Sequence, residues 1–207
     1  MLTAIQKKLW LFAIILTIVL PGSLFAQTTE DSEEVQELPK PIPIGVAMIS
    51  GIERTFKELD YVADSIGQPI LSDLVAGSLA EVEDLKGIAR DKPLGLILFL
   101  KPGTGLNIFP TPAFAGFLPC DEFEDALTTI SSIGTNVAKV PETEDRYTAK
   151  WIFQTYYFQQ IGDHIFYTTD ETLLDAELPD PDAMTKTLST RYDAALQLNI
   201  KNVPVAI

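Results

Sequence analysis

The segment that most constrains the fold is Leu94-Gly95-Leu96-Ile97-Leu98-Phe99-Leu100, an unbroken apolar run held between Pro93 and Lys101-Pro102-Gly103. Its length suits a strand better than a helix, and a strand apolar at every position suits a central place in a sheet buried on both faces. The chain carries one cysteine, Cys120, so no disulfide can form within it and packing alone must hold the fold. With 46% hydrophobic residues among 207, there is enough apolar surface for a single core.

Around that run the periodicity changes twice. Before it, Ser50 and Glu53 have the spacing of a capping box, and Ile52, Phe56, Leu59, Val62 and Ile66 recur at helical spacing up to Gly67 and Pro69. A second helix is predicted over Ile70 to Leu85, placing Leu71, Leu74, Val75, Leu79, Val82 and Leu85 on one side, in antiparallel contact with the first. After it, Ala113 to Leu118 is expected to return as a neighbouring strand. Asp121 and Glu124 are read as capping a helix that carries Phe123, Leu127, Ile130 and Ile133 and stops at Gly134. Strands are predicted over Asn136 to Val140, Tyr147 to Phe153, Thr155 to Ile161 and His164 to Thr168, with Gly162-Asp163 turning the last hairpin. A short helix near Glu171 to Ala176, an acidic loop from Glu177 to Asp182 and a last strand from Tyr192 to Ile200 complete the map. The expected class is α+β: an N-terminal helical pair, then a mostly antiparallel sheet with helices on one face.

The N-terminus reads as an export signal. Lys7 and Lys8 precede an apolar stretch from Leu9 to Leu20, Pro21-Gly22 breaks it, and Ala26 fits the position before a cut, so cleavage is expected between Ala26 and Gln27. A helix from Leu9 to Leu20 would reach about 18 Å, short of the ~30 Å of bilayer hydrocarbon, so no stable transmembrane span is expected after cleavage. An uncleaved anchor is the alternative, because Leu24 is bulkier than the residue preferred there. No cysteine sits near the cut to carry lipid. Residues 27–44 hold five acids, Glu30, Asp31, Glu33, Glu34 and Glu37, then Pro39, Pro41 and Pro43, which suits a disordered acidic spacer. One domain is expected over residues 45–207.

The formal charge is −14, and −16 once Lys7 and Lys8 are removed with the signal. A field of that sign repels phosphate backbones and anionic headgroups, so nucleic acid is not an expected partner. Its simplest consequence is solubility.

Side chains able to do chemistry are scattered. His164 is the only histidine and lies in an aromatic strand, without a second metal-binding histidine or a serine-histidine-acid motif. Cys120 stands before a predicted helix start, where the dipole could lower its pKa, against a reading as a small buried residue at a strand end. Asp121, Glu122, Glu124 and Asp125, then residues 142–145, then Asp180 and Asp182 offer oxygens, but none fits a twelve-residue calcium loop. Lys101-Pro102-Gly103-Thr104-Gly105 lacks the ending of a phosphate loop and reads as a hairpin loop. Trp151, Phe153, Tyr156, Tyr157 and Phe158 suit either a ligand groove or one face of a core. No catalytic, cofactor or metal residue is assigned, and no cofactor is expected.

The run Leu85-Lys86-Gly87-Ile88 to Lys92-Pro93-Leu94-Gly95, the stretch Gly116-Phe117-Leu118-Pro119 leading into Asp121-Glu122-Phe123, and Arg191-Tyr192-Asp193 resemble a group of exported bacterial proteins of unknown function. The resemblance covers most of the chain after the signal, and it transfers no catalytic residue. It implies a longer protein that continues past Arg191-Tyr192-Asp193 into a second, similar unit, so this chain is expected to be a truncated or split version. Two functional classes stand: an exported, periplasmic or envelope-associated domain that binds or scaffolds an unknown protein or envelope component, and a secreted hydrolase whose carboxylates converge only in the fold.

Overall fold

The structure is a computed structural model and describes residues 40–67, 73, 77, 85–103, 110–132, 136–141, 143, 145–151 and 154–203. The apolar run forms β2 (Leu94–Lys101), and it lies inside an eight-stranded sheet in which every neighbouring pair is antiparallel. Its partners are β1 (Ile42–Ile49) and β3 (Thr111–Pro119). Beyond β3 come β7 (His164–Thr168), β6 (Gln154–Ile161), β5 (Arg146–Trp151) and β4 (Asn136–Lys139); beyond β1, among the described residues, lies β8 (Ala194–Leu198) alone. The order across the sheet is β4-β5-β6-β7-β3-β2-β1-β8. The turn at Gly162-Asp163 joins β6 to β7 as the sequence predicts.

Alternation along these strands splits the core in two. On one face Ile49, Leu94, Tyr156, Phe158 and Ile165 pack with Ile52 and Phe56 of α1 (Ile52–Ser65) and with Ala126 and Ile130 of α2 (Phe123–Ser132). On the other, Val46, Ile97, Phe99, Phe117 and Phe166 pack with Leu173 of a 3-10 turn (Glu171–Leu173) and with Met184 and Leu188 of α3 (Pro181–Ser189). Phe99, Phe117 and Phe166 are each 1% exposed, and burial of a side chain of that size contributes about 1.5–3 kcal/mol.

Three expectations are corrected. The domain does not begin with a helical pair: β1 comes first among the described elements, and α1 follows it. Ile44 to Ile49 is an apolar stretch with the whole edge of β2 available to it, and Pro43 is accommodated by a register shift between Pro43 and Gly45. The predicted partner helix, Ile70 to Leu85, falls almost wholly outside the described residues. The helices do not share one face either, because α1 and α2 cover one side of the sheet while α3 covers the other. Third, the acidic loop ending at Asp182 runs directly into α3: Asp180 accepts from the Asp182 N–H at 3.0 Å and Pro181 occupies the first turn.

The capping box at Ser50 does not form. Gly51 precedes the helix at φ 154°, where an added Cβ would stand 3.1 Å from the carbonyl oxygens of Arg90 and Asp91. That close approach lets the Arg90 carbonyl accept the Glu53 N–H at 3.2 Å, so a distant loop caps α1. The Glu53 carboxylate instead pairs with Lys57 at 2.6 Å, and the Ser50 hydroxyl is buried without a partner. Of the predicted helix face, Ile52 and Phe56 are buried, whereas Leu59, Val62 and Ile66 are about half exposed.

Candidate functional site

Cys120 and His164, the two side chains weighed for chemistry from the sequence, both lie among the described residues. Cys120 follows β3, is buried, and donates its backbone N–H to Asp163 at 2.8 Å. Burial pushes its thiol pKa up, and the negative charge of Asp121 adds to the effect, so both work against a thiolate. The reading as a small buried residue at a strand end holds, and the dipole-activated nucleophile does not.

His164 is 4% exposed at the start of β7, between the rings of Phe117 and Phe166. Burial drives its pKa below the ordinary histidine value, although Asp182, Asp180 and Asp163 pull the other way and Lys92 adds to the drop. Its Nε2 lies 3.6 Å from Asp182 and has no hydrogen-bond partner. A neutral imidazole in that setting packs as an aromatic ring against the entry to α3.

Where the fold brings carboxylates together, it does so around a guanidinium. Arg146, 12% exposed, reaches Glu171 at 3.2 Å and Asp175 at 2.8 Å, and donates to the side-chain Oε1 of Gln159 at 3.3 Å. Burial alone would lower the pKa of Arg146, but Asp175 and Glu171 outweigh it and hold the group charged. A second tie joins Lys101 to Asp170 at 2.5 Å, with Thr172 bonding the same carboxylate. Burial disfavours ionised Asp170, yet these bonds hold its carboxyl below the usual range. Both networks fasten β-strands to the segment after β7. Sequence reasoning missed them, since 25 and 29 residues separate Arg146 from its partners and no local spacing marks the pairing.

The acids named from the sequence stay apart. Asp180 caps α3, Asp145 accepts from Gln159 at 3.0 Å, and Glu124 and Asp125 open α2. Among the described residues, no group of three or more His, Cys, Asp or Glu could hold a metal ion. Tyr156 and Phe158 are buried in one core layer while Tyr157 packs against the other, so the aromatics serve both faces of the sheet. Phe153, Thr104, Gly105, Glu142, Glu144 and the Ala26-Gln27 cut lie outside the described residues.

A concave site does exist, on strands β1, β2 and β8. A depression of about 300 Å³ is lined by Ala47, Met48 and Ile49 of β1, Gly95 and Leu96 of β2, and Ala194, Ala195 and Leu196 of β8. Alanine and glycine at four of these eight positions keep the strands' surface low enough to leave the hollow. Every lining residue is apolar, so the hollow can take up an apolar group and offers no side-chain acid, base or ligand. Among the described residues, no helix is long and apolar enough to cross a membrane. No family model, characterised protein or solved structure matches the chain.

Proposed function

We propose that this chain is an exported, envelope-associated domain that binds or scaffolds another envelope component and does no chemistry on it. The observation that carries the reading is the β1-β2-β8 depression, whose lining side chains are all apolar, while Arg146 and Asp170 are tied into ion pairs that fasten the fold. The signal-like N-terminus and the acidic spacer support a position outside the inner membrane. So does the resemblance of Gly116-Phe117-Leu118-Pro119 and its companion motifs to exported proteins.

The test has two arms. Fractionation and N-terminal sequencing from the native host should recover the protein outside the cytoplasm beginning at Gln27; recovery in the cytoplasm with Met1 intact overturns the export reading. A photo-reactive residue in place of Ala194, at the rim of the depression, should give an adduct of discrete mass with an envelope component. No adduct, or turnover of an ester, peptide or glycoside that Glu171→Gln abolishes, overturns the binding reading.

A further inference from the structure

The two edges of the sheet are built differently. The β4 edge is four residues long and carries Lys139, the kind of charge that keeps an edge from pairing. The β8 edge has no such protection: from Ala194 to Ile200 the chain has no charged residue and no proline, in a protein that is 21% charged.

The hydrogen bonds of β8 show which backbone groups are left over. The N–H of Ser50 donates to the carbonyl of Asp193 at 2.8 Å, and the N–H of Asn199 donates to the carbonyl of Ile44 at 2.7 Å. Both contacts continue the register that sets Leu198 opposite Gly45 and Ala195 opposite Met48. In an antiparallel ladder successive residues turn their N–H and C=O alternately toward one neighbour and the other. Residues 193, 195, 197 and 199 therefore bond to β1, and Ala194, Leu196 and Leu198 point their backbone groups away from the sheet. The same three residues share one face, where Leu196 is 64% and Leu198 is 54% exposed. A row of outward donors and acceptors thus runs beside a row of exposed leucines.

We propose that β8 pairs antiparallel with β8 of a second copy of this chain, joining the two sheets across a two-fold axis at Gln197. That register places Leu196 of each copy across from the second copy's Leu198. It also matches outward-facing residues with outward-facing residues, as a ladder requires. The alternative two-fold register, centred on Leu196, sets Leu198 against Ala194 and pairs the leucine rows less completely. A copy of the same strand also meets the charge requirement: the contact is uncharged on both sides, and at physiological salt the acids elsewhere are screened over about 8 Å. The protected β4 edge stops growth at two, so the pairing closes.

Tyr192, Leu196, Leu198 and Ile200, all more than half exposed, bring on the order of 400 Å² of apolar surface per copy. With the strand backbones, the total buried reaches roughly 1,000 Å², the lower bound of a specific interface, so the dimer is weak and reversible. Ala194 and Leu196 also line the depression, but the pairing is read from the backbone edge of β8, and the Gln197→Cys cross-link tests it at a residue outside that lining.

Sedimentation of the full chain between about 10 μM and 1 mM tests it. The expected result is a reversible monomer–dimer equilibrium that Leu196→Lys weakens about tenfold or more, with no loss of folding because Leu196 is solvent-exposed. Gln197→Cys should form an intermolecular disulfide under mild oxidation, since opposed non-hydrogen-bonded positions stand close enough to bridge; the buried Cys120 will not compete. A Thr128→Cys control on α2 should not cross-link. A chain that stays monomeric throughout overturns the proposal and leaves the edge to a foreign strand. Association that survives Leu196→Lys, with no Gln197→Cys cross-link, overturns it as well.

Discussion

Gly116 and Tyr167 stand directly opposite each other on β3 and β7, and the far end of the tyrosine ring lies over the glycine. A Cβ at residue 116 would fall inside van der Waals contact with three ring carbons of Tyr167. The ring has little room to retreat, because Tyr167 packs in the layer that holds Phe158, 6.2 Å away between centroids. Gly116→Ala should therefore force the ring or the strand to move, an overpacking cost of about 1–3 kcal/mol, offset by about 0.5–1 kcal/mol because alanine is easier than glycine to hold extended. The net expectation is a loss of about 1–2 kcal/mol, a shift of roughly 2–8 °C in Tm for a chain of this size. The assay is urea unfolding of the wild type, Gly116→Ala, Tyr167→Val and the double variant. Without the ring, alanine at 116 should cost nothing or stabilise slightly, giving a coupling of about 1 kcal/mol or more. An equal cost in both backgrounds would refute the argument, since the penalty would then belong to the backbone and not to the ring.

Other outcomes follow from the same packing. Because burial lowers the His164 pKa below its unfolded value near 6.5, the unfolded chain takes up the extra proton; stability should fall as pH drops through 6.5 toward the lowered folded value. His164→Gln should flatten that part of a Tm-against-pH curve, and an unchanged slope would count against it. The Cys120 thiol should react with a disulfide reagent at pH 7.5 only after unfolding, so fast native labelling would contradict its placement. Phe99→Ala removes a ring that is 1% exposed in the α3-side core and should cost about 3–5 kcal/mol, read by the urea midpoint.

Much of the secondary structure was legible locally. The alternation in residues 154–168 with its Gly162-Asp163 turn, the stop of α1 at Gly67, and the α2 periodicity each rest on residues within one turn or one hairpin of each other. The β1 strand was missed because Pro41 and Pro43 mask its start, although Ile44 to Ile49 is apolar. The α3 helix was missed although Asp180-Pro181 is a helix-start signature, because acids and prolines there also suit a loop.

The composition of β2 by itself determined that both faces of the sheet had to be covered, since a strand apolar at every position from Leu94 to Leu100 has no face to give to water. Which elements do the covering, and which strands lie side by side, was decided only in three dimensions. The last strand sits beside the first, and Arg146 meets acids more than twenty residues away. The physical reason is the range of the interactions: capping, turn chemistry and periodicity act between near neighbours, whereas sheet order depends on which apolar edges find each other across the whole chain.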